Sequence, residues 1–453
     1  MLDYLNRHVM HPFMAWRAGS EHLDHLRDLR KRQYDPPEVI RRRQLVALQA
    51  QLHHAYATVP YYRAAWDKAG VHPADVKSLP DLEAFPLLTK ADIRRHERNL
   101  VSSSFDITKL RTKRTSGSTG VPLTIFIDEP AVQWKTACTL RSDEWSGWRI
   151  GQRVAKAWGN PEYRHFGFKG WLRNRFFDRA IHLDTLNLDD GRIDAFARAI
   201  RRHRPGLLFG HAHSLYLLAC ALKKSRVLDI RPNGIISTAM LLHDWQRSVI
   251  EQVFGCPVTN RYGCEEVSLI ASECEHHRGL HINADSVYTE VLANGGDPAT
   301  GPLIVTDLTN RAMPLIRYQI GDVVAASDRT CPCGRGLPMI ERVEGREADY
   351  VLTPAGRLVS GISLTENFAL LIPGTAQVQI VQESLTELRI RLVPDEDFGP
   401  DSRLKIDELV TETFGHGVHY EVELVNAIPQ EPSGKYRFCI SRVAREHLQA
   451  MSV

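Results

Sequence analysis

Along the first 80 residues, apolar positions recur at the spacing of an amphipathic helix: Leu23, Leu26 and Leu29, then Leu45, Leu48 and Leu52. This predicts a helical opening segment over 1–95, punctuated by Pro60, Gly70, Pro73, Pro80 and Pro86. The run Arg41, Arg42 and Arg43 within it reads as a solvated helix face. From about 115 to 330 the pattern changes. Short apolar runs, PLTIFI (122–127), RVAKAW (153–158), GLLFG (206–210), NGIISTA (233–239) and PLIVTDL (302–308), alternate with helical stretches such as 213–225 and 244–254. Such alternation predicts an α/β domain of mainly parallel sheets covered by helices. The charged, turn-rich stretch near 345–360 reads as a hinge. Beyond it, QVQIVQES, TELRIRLV and HYEVELV have a period of two around a helical stretch at 402–414. The expectation is a large domain over 1–345 and a small, mobile α+β domain over 346–453.

Length and composition narrow the classes. A chain of 453 residues can bury a large core in two or three domains. A net charge of +3 gives no reason to expect nucleic acid as a partner. No window approaches eighteen apolar residues, so no membrane span is expected. The opening MLDYLNRHVMHPFMAW lacks the basic, apolar and small-residue order of a secretory signal. Eight cysteines are too sparse for a disulfide scaffold, and the expected location is the cytoplasm.

The chemistry begins at RTSGSTGVP, Arg114 to Pro122. Its glycines let backbone approach an anion closely, and Thr115, Ser116, Ser118 and Thr119 add hydroxyl donors. The Gly-Lys-Ser/Thr ending of a Walker A loop is missing. The run Ser116-Gly117-Ser118-Thr119-Gly120-Val121-Pro122 resembles the phosphate loop of the adenylate-forming superfamily, with Val121 where lysine is common. Three further motifs follow in that superfamily's order, and a C-terminal signature closes the set. NRYGCEE (260–266) resembles its aromatic-Gly-x-x-Glu motif, which spans Asn260, Tyr262 and Gly263. The resemblance implies Tyr262 beside adenine and Glu266 holding Mg²⁺, with Glu265 where Ser or Thr is usual. RYQIGD implies Asp322 on the ribose hydroxyls. EGREAD implies Arg346 facing the nucleotide, with a pivot near Ala348 or Asp349. PQEPSGKYR implies Lys435 as the catalytic lysine at the α-phosphate and substrate carboxylate. Both reactants are negative, so Mg²⁺, the loop and Lys435 are the expected means of neutralising their repulsion.

Two features resemble the phenylacetate–CoA ligase branch and its relatives in capsule and exopolysaccharide clusters. One is the run 59–94, VPYYRAAWDKAGVHPADVKSLPDLEAFPLLTKADIR. The other is Cys274 and His281 with Cys331 and Cys333, a ligand set for structural Zn²⁺, with His276 and His277 as alternatives. Cys264 reads as a packing residue. The resemblance implies acid activation by ATP, with pyrophosphate release and transfer to CoA, and a homodimer. An amine or a carrier-protein thiol is the alternative acceptor. A scaffold without turnover is the alternative of another class. Trp134, Phe209, His211, His213, Tyr216 and Met240 are the expected acid-pocket residues, for an aryl or similar acid. His211, His213 and Met240 depart from what relatives carry.

Overall fold

The computed structural model describes the chain except residues 1, 115–122, 158–166, 184–189, 293–299, 347–349, 355, 357, 361–363, 365–367, 369–370, 429–436, 438, 445 and 447–453. The chain forms two compact units. The first comprises Met1–Leu292, Leu303–Ile320 and Ala326–Arg342; the second comprises Ala293–Pro302, Gly321–Ala325 and Val343–Val453.

The first strands, β1 (Arg111–Arg114) and β2 (Thr124–Ile127), pair antiparallel with Arg114 opposite Thr124. The Ser/Gly motif lies between them in sequence. The main sheet takes β3 (Val154–Ala157), β4 (Ala180–Leu183), β5 (Leu207–His211), β6 (Gly234–Thr238), β7 (Val258–Cys264), β8 (Ser268–Glu273), β9 (Leu280–Ile282), β10 (Val287–Val291), β11 (Thr300–Asp307), β12 (Tyr318–Ser327) and β13 (Met339–Arg346). Its order is β10-β11-β12-β13-β9-β8-β7-β6-β5-β3-β4.

The runs RVAKAW, GLLFG, NGIISTA and PLIVTDL are β3, β5, β6 and β11. PLTIFI is β2, in the separate hairpin. From β4 to β7 the strands are parallel because helices Asp190–His203, Ala212–Lys224 and Asp244–Phe254 carry the crossovers. Strand β6 is buried throughout and reads as a continuous apolar run. Beneath it, Leu215, Leu218 and Leu222 meet Ile250, Val253 and Phe254 in one core. Beyond β7 the pairs β7–β8, β8–β9, β9–β13 and β10–β11 are antiparallel. Only residues 265–267 join β7 to β8, and 274–279 join β8 to β9, too few for a crossover. The parallel sheet expected from the sequence is thus one half of a mixed one.

The opening helices His22–Arg32 and Pro37–Thr58 bury Leu26, Leu29, Leu48 and Leu52, as their spacing predicts. Arg41 and Arg42 are exposed, while Arg43 pairs with Asp35 at 2.5 Å. This segment is built into the sheet. Leu88 exchanges backbone bonds with β12 and its flank, Leu88 N–H to Arg317 O and Gln319 N–H to Leu88 O, both 2.9 Å. The Tyr62 hydroxyl donates to Pro314 O at 2.9 Å and accepts from Ile316 N–H at 3.0 Å. Arg317, buried and at φ +49°, pairs with Glu290 at 2.9 Å and also donates to the carbonyls of Glu83 and Phe85.

In the second unit, β14 (Tyr350–Leu352) pairs with β15 (Leu358–Ser360). A four-stranded sheet takes β16 (Thr375–Gln382), β17 (Glu387–Pro394), β18 (His419–Leu424) and β19 (Cys439–Ser441), in the order β18-β17-β16-β19. Helix Pro400–Phe414 makes the crossover that lets β17 and β18 run parallel. Alternate residues Leu388, Ile390 and Leu392 of β17 pack with Ile406, Leu409 and Phe414 of that helix. The period-two pattern of TELRIRLV is this half-buried strand.

Candidate active site

A cavity of about 450 Å³ opens at the carboxyl ends of β6 and β7, beside helix Glu129–Asp143 and the β1–β2 hairpin. Carboxyl ends of parallel strands are where open α/β sheets place their ligands. The motif NRYGCEE runs along β7 into the turn that closes on β8. Register shifts between Tyr262 and Gly263, a bulge that re-aims the strand end. Glycine is required there for space: a Cβ on Gly263 would lie 2.4 Å from Ser268 O. Tyr262, Gly263, Cys264 and Glu265 line the cavity, while Glu266 turns inward, only 9% exposed. The Tyr318 hydroxyl donates to Glu266 Oε1 at 3.1 Å. Two non-glycine residues on the cavity wall, Ala239 and Ser268, hold left-handed backbone, φ +65° and +71°. Such conformations cluster at functional sites.

Three cations reach this wall. Lys135 is buried against Asp307, whose other oxygen binds Thr309 and Asn310. Arg261 pairs with Asp143 at 2.7 Å and lies over the Phe209 ring at 4.8 Å. Burial pushes the Asp143 carboxyl up, and Arg261 opposes that shift. Lys113, at the end of β1 and next to the Ser/Gly loop in sequence, donates to Ser268 Oγ at 2.9 Å. Burial and then the charge of Lys135 pull the Lys113 ammonium below its ordinary range. Lys113 thus bonds a hydroxyl where Lys135 and Arg261 bond carboxylates. Motif reading overlooked Lys113, Lys135 and Arg261; the signal available for the first was a lysine just ahead of a loop that lacks one at Val121.

The other expected residues fall as follows. Asn260 lies on β7, its N–H donating to Glu273 Oε2 at 2.8 Å. Asp322 lies half-buried on β12. The Trp134 indole donates to Asp285 O at 2.8 Å and packs with Phe209 in the core under the opening helices. His211 is buried at the end of β5. Tyr216 stands edge-on to Trp245, ring centroids 4.6 Å apart. Met240 is half-buried just after β6, where the preceding Thr238 and Ala239 form cavity wall. Ser116, Gly117, Ser118, Thr119, Gly120, Lys435, Ala348 and Asp349 lie outside the described residues, as do the side chains of His213 and Arg346.

Elsewhere in the first unit, Cys274, His281, Cys331 and Cys333 converge, with ligand atoms all within 4.8 Å of one another. The Cys274 and Cys331 sulfurs are 3.6 Å apart, and Cys333 Sγ is 3.3 Å from His281 Nε2. A tetrahedral zinc with bonds of about 2.3 Å to sulfur and 2.0 Å to nitrogen requires edges of roughly 3.8 and 3.5 Å. The donor set therefore fits that metal. Burial pulls the His281 imidazole down to about 4, leaving it neutral as a ligand must be. Backbone N–H groups of His276 and Arg335 point at the Cys274 and Cys333 sulfurs, each at 3.5 Å. His276 itself is exposed, and His277 is engaged by Glu273 at 3.1 Å. The Arg335 guanidinium ties the cluster to the opening helices: it pairs with Glu275 at 2.9 Å, donates to Gln33 at 3.0 Å and lies 4.7 Å over Trp145.

Comparison with known proteins adds four findings. A family described as the CapK C-terminal domain matches residues 351–442. A phenylacetate-coenzyme A ligase of Aromatoleum evansii is 28% identical over 69% of this chain and 72% of its own. The protein CapK of Staphylococcus aureus is 24% identical over 81% of each chain. In fold, the chain is similar to a crystal structure of 2-hydroxyisobutyryl-CoA ligase in the postadenylation state, with a TM-score of 0.72, 20% identity and coverage of 93% and 94%.

Proposed function

We infer that this chain, a relative of the phenylacetate–CoA ligases and CapK with the fold of an adenylate-forming ligase, activates a carboxylic acid with ATP and passes the acyl group to coenzyme A. In the first step a carboxylate oxygen attacks the α-phosphorus, and the bond to the β-phosphate oxygen breaks to release pyrophosphate. In the second, the CoA sulfur attacks the acyl carbon and AMP leaves. The carrying observation is the cavity at the ends of β6 and β7, where Tyr262, Lys113 and Arg261 gather next to a buried Glu266.

In this reading Ser116–Gly120 wrap the phosphates, and Lys113 supplies the positive charge that Val121 does not. Glu266, oriented by Tyr318, is the carboxylate for Mg²⁺, a hard cation that takes oxygen ligands. Tyr262 and Asn260 serve the adenine side, Asp322 the ribose and Arg346 the nucleotide after the hinge turns. Lys435 is the lysine of the adenylation step. The apolar wall of Val132, Leu140 and Leu269 suits an aryl or similarly apolar acid body. The four-ligand cluster holds a structural zinc that pins its loops.

The test is incubation with ATP, Mg²⁺ and candidate acids, with and without CoA, read by mass spectrometry. The expected product is an acyl-CoA thioester formed with AMP, lost in Lys435→Ala while ATP binding persists. An acyl-adenylate that is never passed to CoA but reacts with an amine would replace the acceptor. Absence of AMP with every acid would overturn the reading.

A further inference from the structure

The apolar surface at residues 2–17 plays no part in the site described above. Leu2–Leu5, Asn6–Met10 and His11–Arg17 form one helical run, the middle part wound wider, with His11 N–H bonded to Asn6 O. One side of this run is fixed to the first unit. The Asn6 amide donates to Phe176 O, Arg7 Nε to Ile150 O at 3.0 Å, and Asp3 pairs with Arg179 at 2.6 Å. Gly151 allows the close approach: a Cβ there would lie 2.9 Å from Arg7 N. The remainder faces outward, with Tyr4, Val9 and Phe13 exposed and Trp16 77% exposed. The helical segment it touches, Gly167–Arg173 and Asn174–Asp178, adds exposed Trp171, Leu172 and Phe176.

An isolated exposed apolar residue is ordinary, but a cluster of large aromatics is an interaction surface. Charge indicates its partner. Residues 2–17 and 167–179 carry six Lys or Arg (Arg7, Arg17, Lys169, Arg173, Arg175, Arg179) against Asp3 and Asp178, a net +4 where the whole chain is +3. Both aspartates are already engaged, by Arg179 and Arg173. A second copy across a twofold axis would bring two positive patches together, because the same surface meets itself. Trp, Tyr and Phe interleaved with arginine are the composition that settles at an anionic headgroup layer.

We propose that the helical run Leu2–Arg17 and the segment 167–178 form a peripheral docking surface for an anionic lipid bilayer. Aromatic side chains enter the headgroup region, and Arg17 and Arg175 meet lipid phosphates. The enzyme thereby rests on a membrane without crossing it; among the described residues no helix is long and apolar enough to cross.

The test is co-sedimentation of the full chain with vesicles of phosphatidylcholine alone and of a phosphatidylcholine–phosphatidylglycerol mixture, alongside light scattering to measure oligomeric state. Binding is expected to the mixed vesicles, to weaken with added salt, and to fall at least about tenfold in Trp16→Ala/Trp171→Ala and in Arg17→Glu/Arg175→Glu. These side chains are exposed, so circular dichroism and melting temperature are expected to stay at wild-type values. Equal sedimentation of wild type and both variants, or none with either vesicle, overturns the proposal. A wild-type dimer that the variants dissociate would assign the surface to a second copy.

Discussion

Gly263→Ala isolates the idea that the bulge of β7 positions the site. The position needs no unusual backbone dihedral; the constraint is space. An added Cβ would lie 2.4 Å from Ser268 O and 3.1 Å from both Leu269 Cα and Ser268 C. Ordinary carbon–oxygen contacts begin near roughly 3.3 Å, so β7 and β8 must part by about 1 Å. The obstacle is backbone and cannot swing away as a side-chain tip would. Overpacking of this kind costs about 1–3 kcal/mol. The larger effect falls on function, because Tyr262 and Glu266 flank the displaced residue and a shift of about 1 Å can cost about 10²-fold in rate. Acid-dependent ATP–pyrophosphate exchange, measured beside urea unfolding, is expected to show both losses. Wild-type exchange with wild-type stability would refute the argument that this contact sets the geometry of β7.

Arg317→Leu leaves Glu290 buried beneath the opening segment without its cation and frees the carbonyls of Glu83 and Phe85; a loss of about 3–5 kcal/mol is expected in urea unfolding, and an unchanged midpoint would contradict it. Cys331→Ser or Cys333→Ser is expected to lower bound zinc and melting temperature together, and full zinc occupancy in both variants would remove the site as drawn. Lys113→Ala is expected to slow pyrophosphate exchange by about 10²–10³-fold with zinc content unchanged, while Lys113→Arg restores part of the rate; wild-type exchange in the alanine variant would take Lys113 out of phosphate binding.

Much of the fold was legible in local pattern, and the reason is burial. β5 and β6 are covered on both faces and read as apolar runs, while β17 is covered on one face and alternates. The antiparallel half was harder to read. β9 spans only Leu280–Ile282, too short for a periodic signal, and its pairing with β13 depends on distant chain. NRYGCEE and the pairs Cys274/His281 and Cys331/Cys333 were visible through resemblance to a family pattern, whereas the meeting of the two pairs, 57 residues apart between Cys274 and Cys331, is a product of the fold. The supporting ion pairs were not visible. Arg261 finds Asp143 and Lys135 finds Asp307 only after the helix Glu129–Asp143 docks on the sheet, and no local spacing encodes that. The surroundings of the aromatics were equally hidden: Arg261 over Phe209, and the Asp285 carbonyl and His25 ring against Trp134, come from distant parts of the chain.

The central claim is that this chain forms acyl-adenylates. ATP–pyrophosphate exchange without CoA, run across aryl, fatty, amino and sugar acids, tests it most directly, because exchange requires only the first half-reaction. Label is expected to enter ATP with one acid class, aryl or similarly apolar, and not in the absence of acid. No exchange with any class, from folded protein that still binds ATP, would contradict it.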